Sequence, residues 1–244
     1  MDPTPVVRRV ERVRHELKRR ELEVVAVERL SPGFVAVTLG GESLVDFISL
    51  SFDDHVKFMI DGPGDEPVRR DYTPRSFDPA QRRLTIEFAL HGHGGASEWA
   101  RQARVGQRVV VGGPRGSMII PTDYAWHLLA GDDTALPAIR RRLEELPAGT
   151  PAIVIVHADE ADRLPLSTQA QLTVRWVDTS DGLIEAVRAE ALPEGEGFVW
   201  CAGEAASMAA VRQVLLQYKK HPREAMRVAA YWKRGASEFH ENLE

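Results

Sequence analysis

The pattern of apolar and polar positions changes character near residue 125, and the change predicts two architectures in one chain. Up to that point apolar residues alternate with polar ones in short runs closed by turn residues. Residues 22–39, LEVVAVERLSPGFVAVTL, read as two strands about a Ser31-Pro32-Gly33 turn. Residues 54–60 give a third strand, 68–77 a fourth, 82–90 a fifth and 106–116 a sixth that ends in Gly and Pro. One short helix, 96–104, interrupts them. Many short strands with turn signals predict a six-stranded antiparallel β-barrel.

Beyond residue 125 the period alternates. Apolar strands at 125–131, 151–159, 172–178, 197–203 and 225–232 are separated by helical patterns at 134–146, 182–191 and 206–220. Strand and helix in turn predict a parallel sheet with crossover helices. The fold class is therefore β followed by α/β. Ahead of both lies VVRRVERVRHELKRR, residues 6–20, with seven Lys/Arg and two Glu. Val6, Val10, Val13 and Leu17 fall at helical spacing, which predicts an amphipathic helix whose basic face is solvated or meets an anionic partner. The boundaries that follow are a helical extension over 1–21, a barrel over 22–123 and an α/β unit over 124–244.

Composition narrows the chemistry. The 244 residues are 43% apolar and 27% charged, ordinary for a globular protein. A net charge of −5 gives no global case for nucleic acid. A single cysteine, Cys201, excludes a disulfide framework and an iron–sulfur cluster held by this chain alone. No apolar run approaches the ~20 residues of a membrane span. No apolar signal segment opens the chain, so a cytoplasmic protein is expected.

Two stretches stand out chemically. In RRDYTPRSFD, residues 69–78, strand alternation puts Arg70 and Tyr72 on one face and Thr73 and Arg75 on the opposite parity. Pro74 interrupts any ladder there. The segment reads either as a charged edge strand or as a clamp. Guanidinium groups grip phosphate, and a tyrosine offers a flat face to an aromatic ring. In HGHGGASEWA, residues 91–100, Gly94, Gly95, Ala96 and Ser97 let backbone amides approach a ligand at a helix start, with Ser97 placed as its cap. His91 and His93 lack a third ligand nearby, so no metal site is expected.

Taken in this order, Arg70-Asp71-Tyr72-Thr73-Pro74-Arg75 and HGHGGASEWA resemble the siderophore-interacting proteins, flavin-dependent ferric-siderophore reductases of the ferredoxin-reductase-like fold. AGDDTALPAI at 130–139, CAGEAASMAAVR at 201–212 and AAYWKRG at 229–235 fit the same pattern. Asp133 stands where the family usually has Glu, and Lys233 where it commonly has Arg. The resemblance implies that Arg70, Tyr72, Thr73 and Arg75 hold FAD, with Tyr72 against the flavin ring. Gly94, Gly95, Ala96 and Ser97 would hold its pyrophosphate, and His91 would lie near the flavin.

The second unit would dock a nicotinamide cofactor at the strand-to-helix crevices. Asp132, Asp133 and Thr134 form one, with Thr134 placed to cap the helix; the two acids read either as nicotinamide or ribose contacts or as complements to the helix dipole. Gly203-Glu204-Ala205 forms another. Tyr72, Thr73, Asp132 and Glu204 make up the catalytic set, and Thr134 adds to the cofactor contacts. Cys201 is either a nicotinamide neighbour or a plain buried thiol. After the second strand, Asp159, Glu160 and Asp162 favour NADH while Arg163 favours NADPH. Electrons would pass from NAD(P)H, with ferredoxin an open alternative donor, through flavin to a ferric siderophore. Lys57, Arg115, Lys233 and Arg234 are the candidate basic contacts for that anionic substrate. A general NAD(P)H:flavin or quinone reductase and a non-catalytic siderophore-binding flavoprotein are the alternatives. Oligomeric state is left open.

Overall fold

A computed structural model describes residues 9–60, 68–90, 95–236 and 241–242. Its first sheet contains β2 (Arg19–Ser31), β3 (Phe34–Gly40), β4 (Val56–Ile60), β5 (Val68–Tyr72), β6 (Ser76–Asp78), β7 (Arg83–Ala89) and β8 (Arg108–Gly112). They pair antiparallel in the order β5-β4-β8-β2-β3-β7-β6. Seven strands stand where six were expected, because the fourth is broken at Pro74, which cannot donate to a ladder. On β2 exposed and buried residues alternate from Arg19 to Val24, which turns Leu22 and Val24 into a core with Val37, Phe58, Ile86, Phe88 and Val111. The short helix α1 (Gly95–Arg101) packs beside β5 and β7.

The second sheet contains β10 (Trp126–Asp132), β11 (Pro151–His157), β12 (Gln171–Val177), β13 (Gly197–Glu204) and β14 (Met226–Trp232), all parallel, with a short antiparallel β15 (Glu241–Asn242) at one edge. The order β12-β11-β10-β13-β14-β15 reverses direction at β10. Helices α2 (Leu136–Glu145), α3 (Ser180–Ala189) and α4 (Ala205–Gln213) cover the sheet. β10 is buried along its whole length, as a central strand covered on both faces must be. Phe34 and Phe52, from the first half of the chain, share one core cluster with Leu129, Ile139, Val154 and Trp200. The two sheets therefore share apolar packing.

The N-terminal helix is a correction. Among the described residues 9–20 there is no helix. Instead β1 (Glu11–Arg14) pairs antiparallel with β9 (Gly116–Ile119), a strand the sequence pattern did not reveal, and β2 already begins at Arg19. β-Branched valines at 10 and 13 suit the extended backbone, and an available edge strand supplies hydrogen bonds that an isolated helix would have to make alone. Leu17, expected on an apolar stripe, is 64% exposed. The basic side chains are not all solvated: Arg20 is buried, donating to Ser43 O and Gly113 O and pairing with Asp46. Val6 lies outside the described residues.

Candidate functional site

Three parallel strands, β10, β13 and β14, end in residues that carry chemistry. Asp132 closes β10. One of its carboxylate oxygens accepts from Thr134 N at 3.0 Å and from the Thr134 hydroxyl; the other accepts from Glu204 N at 2.8 Å and Trp232 Nε1 at 2.9 Å. One buried carboxylate thus ties together the ends of β10, β13 and β14. Burial pushes its pKa up, the neighbouring Asp133 adds to that, and the donated hydrogen bonds oppose both. Asp132, not Thr134, is the cap of the 3-10 turn at Asp133–Ala135 that leads into α2.

This crossing tolerates no extra atoms. A Cβ on Gly131 would lie 2.1 Å from Ala202 O. A Cβ on Gly203, whose φ is +154°, would lie 2.6 Å from Asp132 Oδ2. Glu204 caps α4, accepting from Ala206 N at 2.7 Å and Ser207 N at 3.1 Å, while its second oxygen takes Arg234 N at 3.4 Å.

β5 meets this end of the sheet through Tyr231 of β14, whose hydroxyl is hydrogen-bonded to the Thr73 side chain. Burial raises the Tyr231 pKa, and nearby Asp53 adds to the rise. Next to Thr73, the Tyr72 ring is half-buried and braced by Phe88 at 4.4 Å and Phe58 at 5.9 Å between centroids. Burial raises the Tyr72 pKa, and Arg70 opposes it. Gly95, Ala96 and Ser97 open α1 close by; Ser97 lies inside the helix and is buried, so it is not the cap. His91, His93 and Gly94 lie outside the described residues.

Arg75, the second arginine of the expected clamp, is engaged with acids of the interface. Its guanidinium is buried and binds both oxygens of Glu144 on α2, Nη1 to Oε2 at 2.8 Å, and contacts Glu87 Oε1 at 3.3 Å. Glu87 also takes Arg140. Beside it, Arg141 on α2 donates to Pro74 O at 2.9 Å, Ser49 Oγ at 2.8 Å and Ser49 O at 3.1 Å. The physical reason is the break at Pro74: it ends the strand and sends Arg75 toward the helix, where two carboxylates compensate its desolvation. Arg70 stays on the Tyr72 face.

The remaining expected residues divide. Lys57 sits directly across from Asp71 and pairs with it at 2.8 Å. Lys233 and Arg234 follow β14 and are exposed next to Glu204. Arg115 is exposed in the turn that links β8 to β9, its carbonyl accepting from His15 N, and no contact joins it to the strand-end cluster among the described residues. Cys201 is fully buried among Leu128, Val199 and Met208, and burial pushes its thiol up to about 12. It is an inert core thiol. Asp162 accepts from Ser31 Oγ and Gly33 N, both at 2.7 Å, and Arg163 pairs with Asp178 at 2.6 Å. Sequence reasoning missed Tyr231 and Trp232 as site residues, although the AAYWKRG motif contains both, and it missed Asp53, Arg141 and Glu144 altogether.

Comparisons with known proteins match this arrangement. A family model described as Siderophore-interacting protein matches residues 124–235, and one described as Siderophore-interacting FAD-binding domain matches residues 23–66 and 61–118. The NADPH-dependent ferric-chelate reductase of Escherichia coli (strain K12) is 35% identical over 95% of this chain and 99% of its own length. The chain belongs to the siderophore-interacting protein family. The ferric vibriobactin reductase ViuB of Vibrio cholerae is 30% identical to this family member over 91% of this chain and 93% of its own. The crystal structure of a siderophore utilization protein from T. fusca superposes with a TM-score of 0.86 at 34% identity, covering 94% of this chain and 98% of that one.

The side chains present fit a flavin dinucleotide. A half-exposed tyrosine ring is backed by two phenylalanines, a hydroxyl lies beside it at Thr73, a guanidinium shares its face at Arg70, and a helix start with small residues stands next to the strand. Among the described residues no helix is long and apolar enough to cross a membrane.

Proposed function

We propose that this protein is an FAD-dependent ferric-siderophore reductase that carries electrons from NAD(P)H to chelated Fe(III) and releases Fe(II). The observation that carries the reading is the junction of Thr73, next to Tyr72, with Tyr231 of β14, which sets a flavin platform against the carboxyl ends of β10, β13 and β14. Ligands of open α/β sheets bind in that crevice, and β10 is its switch point. Relatives named as ferric-chelate and ferric vibriobactin reductases support the same reading.

Arg70, Tyr72, Thr73 and the α1 residues Gly95, Ala96 and Ser97 would hold FAD, with His91 and Gly94 in the segment outside the described residues. When bound, FAD couples a two-electron donor to one-electron acceptors. Asp132 keeps the strand ends in place, Glu204 holds the start of α4, and with Asp133 and Thr134 they shape the nicotinamide side. Arg75 acts from the interface as a support for Thr73. Lys57, Arg115, Lys233 and Arg234 remain the candidate basic contacts for an anionic ferric chelate, with Lys57 already paired to Asp71. Siderophore oxygens suit Fe(III) better than Fe(II), so reduction loosens the metal. The reaction is assigned to the cytoplasm, where NAD(P)H is supplied.

The test is anaerobic stopped-flow on the FAD-loaded protein with NADH, NADPH and reduced ferredoxin, followed by a panel of ferric chelates and an Fe(II) trap. Bleaching by a nicotinamide donor, then recovery of colour with trapped Fe(II), is expected. Free flavin or quinone reduced orders of magnitude faster than any ferric siderophore would overturn the substrate. A protein that no donor bleaches would overturn the catalysis.

A further inference from the structure

The order β12-β11-β10-β13-β14 puts β11 beside the switch-point strand β10. In doubly wound sheets of this order, the chain that leaves the second strand meets the adenosine ribose of a dinucleotide. His157, the last residue of β11, stands opposite Asp132 in the register. Ala158 N then donates to Val177 O at 3.2 Å, so the chain crosses toward the end of β12. Asp159 and Glu160 follow, both exposed, and the 3-10 turn Glu160–Asp162 closes the segment.

Two charges of this segment are engaged. Asp162 turns back to the first sheet, accepting from Ser31 Oγ and Gly33 N, and so ties the turn to the β2–β3 hairpin. Arg163 donates from Nη2 to Asp178 Oδ1 at 2.6 Å, just past the end of β12, and its Nε is buried. Two further cations come near. Arg140 donates to Pro165 O and pairs with Glu87, and Arg29 donates to Pro32 O. Asp159 makes no side-chain cap to the turn it precedes, and among the described residues no cation pairs with Asp159 or Glu160. The guanidinium of the segment is thus matched by Asp178, and two carboxylates are left over at the ribose position.

We infer that the electron donor is NADH, and that Asp159 and Glu160 are the residues that exclude NADPH. A carboxylate accepts a hydrogen bond from a ribose 2′-hydroxyl and repels the phosphate that takes its place in NADPH. The assignment rests on the nicotinamide crevice of the proposed function and narrows it to one donor. Asp162 serves it indirectly, by holding the turn that presents the two acids.

Isothermal titration of the FAD-loaded protein with NAD⁺ and with NADP⁺ reads the preference apart from turnover. Anaerobic stopped-flow bleaching with NADH and NADPH reads it in the reaction. NAD⁺ should bind about tenfold or more tightly than NADP⁺, and NADH should bleach the flavin at correspondingly lower concentration. The Asp159→Asn/Glu160→Gln double variant removes two exposed charges, so its melting temperature should match the parent's. Its ratio of NAD⁺ to NADP⁺ affinity should fall by about tenfold, chiefly through tighter NADP⁺. Glu21→Gln, which removes an exposed carboxylate from β2, should keep the parent's ratio. NADP⁺ bound as tightly as NAD⁺ by the parent, or an unchanged ratio in the double variant, overturns the assignment and leaves the crevice standing. If neither nucleotide binds and neither donor bleaches the flavin, the crevice itself is overturned, and the donor assignment with it.

Discussion

Arg141→Met isolates the contribution of α2 to the flavin platform. Methionine keeps an unbranched, helix-compatible side chain of similar reach and removes every donor. Ser49 Oγ still has Asp54 at 2.8 Å, but the carbonyls of Ser49 and Pro74 lose the guanidinium. Both residues are buried, and each orphaned acceptor costs about 1–3 kcal/mol. The expected loss of stability is therefore about 2–6 kcal/mol, a large share of the ~5–15 kcal/mol typical of a domain. Pro74 directly follows Thr73, so part of the loss falls on the segment that would hold FAD. If one carbonyl's share, about 1.4 kcal/mol, is felt there, the FAD dissociation constant rises about tenfold.

The control is Leu143→Ala on the same helix. Leu143 is fully buried in the core, and its truncation costs a similar ~2–5 kcal/mol without touching residues 72–75. Urea unfolding measures the stability of both variants, and quenching of FAD fluorescence measures cofactor affinity. Arg141→Met should lose both, Leu143→Ala stability alone. Equal losses of FAD affinity in the two variants, or an unchanged FAD constant in Arg141→Met, would refute the idea that Arg141 positions Thr73.

His127 is buried, its Nδ1 has no hydrogen-bond partner among the described residues, and burial lowers its pKa to about 4 from an ordinary value near 6.5. The unfolded chain binds the proton first, so His127 costs no stability above pH ~6.5 and progressively more as pH falls to about 4, up to about 3 kcal/mol. Urea midpoints between pH 7 and 4.5 should fall less steeply in His127→Gln. Gly203→Ala drives a methyl against Asp132; NAD(P)H-driven flavin bleaching should slow while FAD affinity holds, and the reverse split in a titration and stopped-flow pair would count against the strand-end role. Asp162→Asn weakens the latch on Ser31 and Gly33 by about 1–2 kcal/mol and should leave the NADH-to-NADPH preference unchanged in steady-state assays, since that carboxylate is already engaged. Cys201 should resist a thiol reagent in the native protein and react once denatured, read as absorbance of released thiolate.

Elements whose periodicity reports burial were legible in the sequence. The alternation in β2 and the apolar Leu128-Leu129-Ala130 centre of β10 each express how many faces the core covers. The N-terminal segment misled because valines at 10 and 13 satisfy helical spacing, while the partner that makes them a strand lies a hundred residues away in β9. Site residues followed the same divide. Asp132 and Glu204 stand at the carboxyl ends of parallel strands, where an open α/β sheet forms its crevices, and Tyr72 and Thr73 stand at the end of β5. Arg75 shares their motif, yet its direction is decided by Glu144 and Glu87, and nothing local encodes those partners. Asp53 is the extreme case: it joins Trp200 and Arg227 across separations of 147 and 174 residues. A motif fixes which atoms are available, and the opposing charges of the fold fix where those atoms point. An arginine drawn from a motif should therefore be counted toward a ligand only after its carboxylate partners are known, and Arg75, held by Glu144 and Glu87, shows why.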